Sequence, residues 1–303
     1  MRAFWSIDGT EGCAENFFVR VIALIKLVYS HIVIIFVFVF SIFNEEFTMF
    51  TRFLGFVGLM ALAFSNISSA QAQETIYVYG PGGPAPAMKE AAAVFEKETG
   101  TKVEVTAGPT PKWIEQAKAK GDVIYSGSEN MMTDFVFQLE GQIKSDQVIP
   151  LYLRPMAILV RPGNPKKIKG FDDIIKPGVK VLVVHGAGQT GAWEDIAGRL
   201  GSIQTVRSLR SNIVDYAKNS ALAKKAWIDQ PDIDAWLIYN IWQVANPKLA
   251  DVVEIEPQYA IYRDAGVVLT QRAQANPQAK DFIKFLQSEQ GEKIFVKWGW
   301  KAN

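Results

Sequence analysis

From Glu74 onward, the sequence alternates short apolar runs with amphipathic segments. TIYVYG (75–80) predicts a strand, and AMKEAAAVFEKETG (87–100) follows it with apolar side chains at helical spacing. The alternation continues through KVEVTA (102–107) and PKWIEQAKAK (111–120). Strands that are separated by helices in this order form β-α-β units. The sequence therefore predicts an α/β fold with a mainly parallel sheet.

Two extended segments divide the rest of the chain. IPLYLRPMAILVRPGNP (149–165) is long enough to cross between two lobes, and a second α/β series follows it. YAIYRDAGVVLT (259–270) then leads to a terminal pair of helices. Two lobes joined by two crossovers predict a hinged clamshell. We expect lobe 1 to contain residues 73–153 and 262–303, and lobe 2 to contain residues 154–261.

The N-terminal region predicts export. Met49, the positive Arg52, an apolar stretch over 53–64 and a small-x-small site ending at Ala72 follow one another in the order of a secretory signal peptide. We expect cleavage near Ala72, so that residues 1–72 are removed. The product would be a periplasmic or otherwise exported soluble protein.

An earlier apolar run, LVYSHIVIIFVFVFSIF (27–43), allows two interpretations. Its length is at the lower edge of the roughly 17 to 25 residues that a membrane-spanning helix needs. It is either a membrane anchor or upstream sequence that is translated because the start codon was placed too early. The complete signal peptide that begins at Met49 favours the second interpretation.

The composition excludes several function classes. The chain carries 32 Lys and Arg against 31 Asp and Glu, so no basic face for nucleic acid is indicated. Cys13 lies before the predicted cleavage site, which excludes disulfides, thiolate metal sites and lipid attachment in the mature protein. His31 is also removed, and His185 alone forms no histidine metal cluster. We expect no cofactor, no metal and no catalytic residue.

Three predicted strand-to-helix turns have the composition of anion sites. They are GPGGP (80–84), SGS (126–128) and GAGQTG (186–191). The first N–H groups of a helix lack partners within the helix, and the helix dipole adds partial positive charge. In parallel sheets such turns lie at the carboxyl ends of strands, where ligands bind. The alternative for GPGGP is a tight turn without a ligand.

Other candidate residues have ordinary structural alternatives. Ser128 is expected to cap a helix, whereas Ser126 is expected to be more available to a ligand. Arg210 is by default a solvated arginine, and Ser211 is expected to cap a helix over NIVDYA (212–217). Tyr239 ends a predicted strand, so its hydroxyl group could reach the cleft.

The turn over 186–191 also matches G-x-G-x-x-G, a pattern of dinucleotide-binding loops. It is not a phosphate loop of the Walker A type, because Ala192 and Trp193 stand where Lys and Ser or Thr are needed. A dinucleotide site also needs an acidic residue about 20 positions later, where the chain has Arg207 and Arg210. A phosphorylated dinucleotide held by arginine stays an alternative.

Several segments carry a family resemblance. They are YGPGGP (79–84), DVIYSGSENM (122–131), PLYLRPMAILVRPGNP (150–165), IDAWLIYNIWQVANP (233–247) and FIKFLQSEQGEKIFVKWGW (282–300). In these segments the chain resembles periplasmic solute-binding proteins of the molybdate/sulfate-binding type, and above all the accessory colonization factor AcfC group. The resemblance implies a type II binding-protein clamshell that closes on an oxyanion or a small organic anion.

The resemblance also implies site residues by position. Molybdate binders place serine in the first turn, where this chain has Gly82, Gly83 and Pro84, so sulfate-like and carboxylate- or phosphate-bearing ligands stay open. Together with the residues of the turns themselves, the candidate ligand-binding set is Gly82, Gly83, Ser126, Ser128, Gln189, Thr190, Gly191, Arg210, Ser211, Asn212 and Tyr239.

Three functions follow as hypotheses. The first is an exported binding protein, monomer or homodimer, that delivers a small anion to the membrane subunits of an ABC-type transporter and performs no chemistry. The second is a surface or adhesion protein on the same scaffold. The third is a nucleotide-dependent oxidoreductase that uses the glycine-rich turn.

Overall fold

The computed structural model describes residues 75–302, and the predicted signal peptide and the upstream apolar run lie outside this range. The strands are β1 (Ile76–Gly80), β2 (Val103–Ala107), β3 (Val123–Tyr125), β4 (Ile149–Val160), β5 (Val181–Val184), β6 (Ile213–Ala217), β7 (Ala235–Tyr239), β8 (Asp251–Glu254) and β9 (Tyr262–Leu269). The helices are α1 (Ala85–Thr99), α2 (Ile114–Lys120), α3 (Glu129–Gln138), α4 (Phe171–Ile174), α5 (Ala192–Ala197), α6 (Ile203–Asn212), α7 (Ser220–Asp229), α8 (Ile241–Val244), α9 (Pro277–Leu286) and α10 (Glu289–Lys297).

Strand β4 belongs to two groups of strands. Its first part pairs antiparallel with β9, which continues through β3 and β1 to β2. Its second part pairs antiparallel with β7 on one side and β8 on the other, and β7 continues through β5 to β6. Pairing is parallel among β1, β2 and β3 and among β5, β6 and β7. The sheet is thus mixed and not mainly parallel, because β4 and β9 run against their neighbours.

Helix α1 shows how local sequence produces the predicted element. Met88, Ala91, Ala92 and Phe95 are buried, as their helical spacing predicts. The helix stops at Gly100, which adopts φ 74° and donates its N–H to the carbonyl of Glu96. Within residues 75–302, no helix has the length and apolar character needed to cross a membrane.

The helix predicted over residues 212–217 is wrong, because this stretch is strand β6. Side chains alternate along it: Val214 and Tyr216 are exposed, whereas Ala217 is buried. This period of two is the pattern of a strand with one covered face. Helix α6 precedes it, and Ser202 caps that helix by accepting the N–H of Thr205.

Candidate functional site

A cavity of about 130 Å³ lies among turns that follow strands of both groups. This volume is well below the roughly 300 to 1,000 Å³ of sites for drug-sized ligands, so the cavity suits a small metabolite. The residues that line it are Pro81, Gly82, Gly83, Pro84, Gly108, Pro109, Thr110, Met131, Arg154, Gly188, Gln189, Asn219, Ser220, Ala221 and Trp242.

Arg154 is the charged residue of this cavity. Its side chain comes from the middle of β4 and is only 4% exposed. Its Nη2 donates to the carbonyl of Gly127, and its Cζ lies 3.8 Å from the ring centroid of Tyr239. Its Nε has no hydrogen-bond partner in the part of the chain that the structure describes. Among residues 75–302, no carboxylate lies within 4.0 Å of its guanidinium nitrogens.

The protonation state of Arg154 follows from this burial. Removal from water disfavours the charged form and lowers the pKa of Arg154 to about 10, although the charge of Asp264 opposes the shift. The guanidinium group is therefore still a cation at neutral pH. The site presents a buried positive charge whose hydrogen-bonding capacity the protein leaves partly unused.

Two of the predicted glycine-rich turns enclose the Arg154 guanidinium group. A Cβ atom at Gly83 would lie 2.8 Å from its Nη1, and one at Gly127 would lie 2.7 Å from its Nη2. Gly82 differs, since a Cβ atom there would meet nothing within 4 Å. Gly83 and Gly127 therefore leave room for the arginine, and Gly82 lies beside open space.

The two candidate serines are fully buried and lie outside the cavity lining. Ser128 caps α3 by accepting the N–H of Met131 at 3.2 Å, which confirms the predicted cap. Ser126 is not the freer of the two, because its Oγ accepts the N–H of Gly266 at 3.2 Å. This bond ties the turn after β3 to strand β9. Contact of either serine with a ligand stays a prediction.

The turn after β5 contributes Gly188 and Gln189 to the cavity. Gln189 is 5% exposed, and its Nε2 donates to Ser220 Oγ at 2.7 Å while its Oε1 has no partner. The Tyr239 hydroxyl group donates to the Gly188 carbonyl at 3.3 Å. Thr190 and Gly191 come next and lie outside the lining.

Arg210, Ser211 and Asn212 are not at a helix start. They form the last residues of α6, where carbonyl groups rather than N–H groups lack partners. The Asn212 side chain donates to the carbonyls of Ile174 and Lys176, at 2.8 and 2.6 Å. Arg210 and Ser211 are exposed, and none of the three residues lines the cavity.

Sequence reasoning missed Arg154, Thr110, Asn219, Ser220 and Trp242 as lining residues. The position of Arg154 inside the apolar run of β4 could have indicated a site, because an arginine is seldom fully buried unless it is paired. Asn219 caps α7 by accepting the N–H of Leu222 at 2.9 Å. That turn was overlooked because the preceding strand, β6, was predicted as a helix.

Comparison with known proteins places this geometry in context. Residues 76–301 match a family described as bacterial extracellular solute-binding protein. The crystal structure of L-phospholactate-bound PEB3 is 34% identical and covers 75% of this chain and 100% of its own, with a TM-score of 0.71. PEB3 from Campylobacter jejuni is 35% identical with the same coverage and a TM-score of 0.70.

Two further proteins are less similar to this chain and support fewer conclusions. The sulfate-binding protein SubI from Mycobacterium tuberculosis is 16% identical, covers 75% of this chain and 86% of its own, and has a TM-score of 0.63, which concerns the fold alone. Aconitate isomerase from a Pseudomonas species is 28% identical over 120 residues, which are 36% of this chain and 44% of that protein. The match spans less than half of the isomerase. The solved structures confirm the predicted α/β fold of type II periplasmic binding proteins.

Proposed function

The chain belongs to the family of bacterial extracellular solute-binding proteins, and from that premise we propose that it binds a small organic anion beside Arg154. One observation carries the proposal: Arg154 is 4% exposed, lines the cavity and has an Nε without a partner. A buried charge loses several kcal/mol of hydration, and the attraction of an opposite charge offsets this loss. An anion in the cavity supplies that charge.

The ligand we propose carries a carboxylate or phosphate group. The planar guanidinium group binds both groups through paired hydrogen bonds. The first turn offers Gly82 and Gly83 in place of the serine of molybdate binders, which disfavours molybdate. L-phospholactate, the ligand of the PEB3 structure, has the proposed chemistry and is small. Membership of the AcfC group is part of the same proposal.

We also propose the transport role. In this role, two lobes close around the anion. Lobe 1 contains residues 73–153 and 262–303, and lobe 2 contains residues 154–261. The closed protein then meets the membrane subunits of an ABC-type transporter. Export with cleavage near Ala72 belongs to this role, and the family to which the chain belongs supports it.

Binding without chemistry is the proposal for the cavity. An isomerase that moves a proton needs an acid or base within hydrogen-bond reach of its substrate. Within the described part of the chain, Arg154 is the one lining residue with an ionisable side chain, and its pKa of about 10 keeps it a cation at neutral pH. The likeness to aconitate isomerase is therefore proposed to reflect the shared scaffold.

Ligand screening tests this function. The mature protein is unfolded, freed of small molecules and refolded, and its melting temperature is measured with L-phospholactate, citrate, phosphate, sulfate and molybdate. At a hundredfold excess over Kd, binding adds about 2.7 kcal/mol to the free energy of unfolding. We expect an organic anion to raise the melting temperature most. If none of these anions raises it, the result favours the adhesion hypothesis over ours. Conversion of aconitate by the purified protein would instead establish an enzyme.

A further inference from the structure

The segment after α10 returns to the strand that carries Arg154. Leu153 donates its N–H to the carbonyl of Lys301 at 3.0 Å, and Lys301 donates to the carbonyl of Leu153 at 2.6 Å. The two residues form an isolated antiparallel bridge. This pairing brings Trp300 beside Arg154, the next residue of β4.

Trp300 contributes a second aromatic ring near the guanidinium group. It is 3% exposed, and its ring centroid lies 5.3 Å from Arg154 Cζ, within the roughly 6 Å range of cation–π attraction. Its ring also packs edge-on against Phe295 of α10, with centroids 5.7 Å apart. Trp300 thus packs against α10 while it contacts the arginine.

Gly299 ties the same segment to the end of β7. Its carbonyl accepts Asn240 Nδ2 at 2.7 Å, and Asn240 directly follows Tyr239. The backbone of Gly299 has φ +86°, and a Cβ atom there would lie 2.9 Å from Val244. Only glycine combines this conformation with so close an approach. The hydrogen bond between Asn240 and Gly299 therefore joins the two segments that carry the rings beside the guanidinium group, Tyr239 and Trp300.

We propose that Trp300 is a positioning residue of the anion site, acting through Arg154, and that residues 299–301 hold it in place. The inference rests on the proposed function. Among residues 75–302, the nitrogen atoms of Arg154 make one hydrogen bond, to the carbonyl of Gly127. A long side chain so lightly bonded owes its orientation to packing. Ordering it before the ligand arrives removes part of the entropy cost of binding.

Replacement of the ring tests the proposal. Trp300→Leu keeps apolar bulk and removes the aromatic face, and we expect it to weaken L-phospholactate binding about tenfold, the equivalent of a strong cation–π contact. Trp300→Phe keeps a ring and should restore most of the affinity. Trp298→Leu is the matched control, because the indole of Trp298 donates to Glu90, and the cation–π contacts of Arg154 within residues 75–302 are with Tyr239 and Trp300. Calorimetric titration measures all three.

Unfolding of ligand-free protein gives a second readout. If Trp300 holds Arg154, the loss of denaturant midpoint in the double variant Trp300→Leu with Arg154→Gln should be smaller than the sum of the two single losses. Additive losses would overturn the contact. Parent-like affinity of Trp300→Leu, or an equal loss of affinity in Trp298→Leu, would overturn the positioning role. If the parent protein binds no anion, the proposed function fails, whereas non-additive unfolding would still support the contact.

Discussion

Two arginines, one within strand β4 and one directly after it, allow a cation that is bonded within the protein to be compared with one that we propose binds a ligand. Arg161, directly after β4, donates through all three of its nitrogen atoms, to the carbonyls of Ile233, Trp227 and Gln230. Its Cζ also lies 3.6 Å from the ring centroid of Trp227. Arg154 sits within the strand, donates to one carbonyl and keeps an Nε without a partner.

The two arginines differ in their hydrogen-bond partners and not in the effect of burial on their pKa values. Burial lowers the pKa of both arginines, so the shift alone does not distinguish them. Arg161 has its partners within the protein, where it meets carbonyls at and beyond the C-terminal end of α7. Arg154 lacks such compensation and faces a cavity. A buried polar group without a partner needs an explanation, and a ligand provides one.

The largest expected effect is the loss of anion binding in Arg154→Gln. Truncation of one partner of a buried charge pair costs about 2 to 5 kcal/mol, so we expect affinity to fall at least about thirtyfold. The control is Arg207→Gln, an exposed arginine outside the cavity, which should bind like the parent. Calorimetric titration with L-phospholactate measures the affinity of both variants. Unchanged affinity in Arg154→Gln would show that the anion does not bind in the cavity beside Arg154.

Arg161→Leu should reverse this pattern. Three charge-assisted hydrogen bonds are lost, and we expect the free energy of unfolding to fall by about 3 kcal/mol while anion affinity stays within about twofold. Denaturant unfolding and calorimetry measure the two quantities. If Arg161→Leu has parental stability and binds the anion more weakly, Arg161 contributes to binding and not to stability, and the prediction is wrong.

The first turn offers a matched pair for a smaller effect. Gly83→Ala would place a Cβ atom 2.8 Å from Arg154 Nη1, so the guanidinium group must move, and we expect about tenfold weaker binding. Gly82→Ala meets nothing within 4 Å of its new Cβ atom and should change affinity much less. Titration of both variants under identical conditions compares them. Equal losses would indicate that the backbone of the turn, and not room for Arg154, controls binding.

The sequence correctly predicted the structural features that depend on residues close together in the chain. The buried stripe of α1, the cap at Ser128 and the turns with small residues follow from spacing and side-chain chemistry. Strand β6 was missed because NIVDYA is short and follows Ser211, which was expected to cap a helix.

The main feature of the site could not be predicted from neighbours. Arg154 acquires its surroundings from Gly83, Gly127, Tyr239 and Trp300, which lie far apart in the chain. Only strand pairing brings them together, and pairing between distant segments leaves little trace in a single sequence.

The smallest expected effect is the pH dependence of binding, which has its origin in Arg154. Burial lowers the pKa of this residue to about 10, so the ligand-free site is a cation below that pH and loses its proton above it. Because the anion binds the protonated form, affinity should be constant from about pH 7 to 9 and fall as pH rises, by about twofold at pH 10. Calorimetry across this range in buffers of matched ionic strength measures the profile. The anion stabilises the protonated form, so the pKa in the complex should be higher than in the free protein. A decline that begins near pH 7 would assign the titration to another group, and Arg154→Lys should then decline over the same range as the parent.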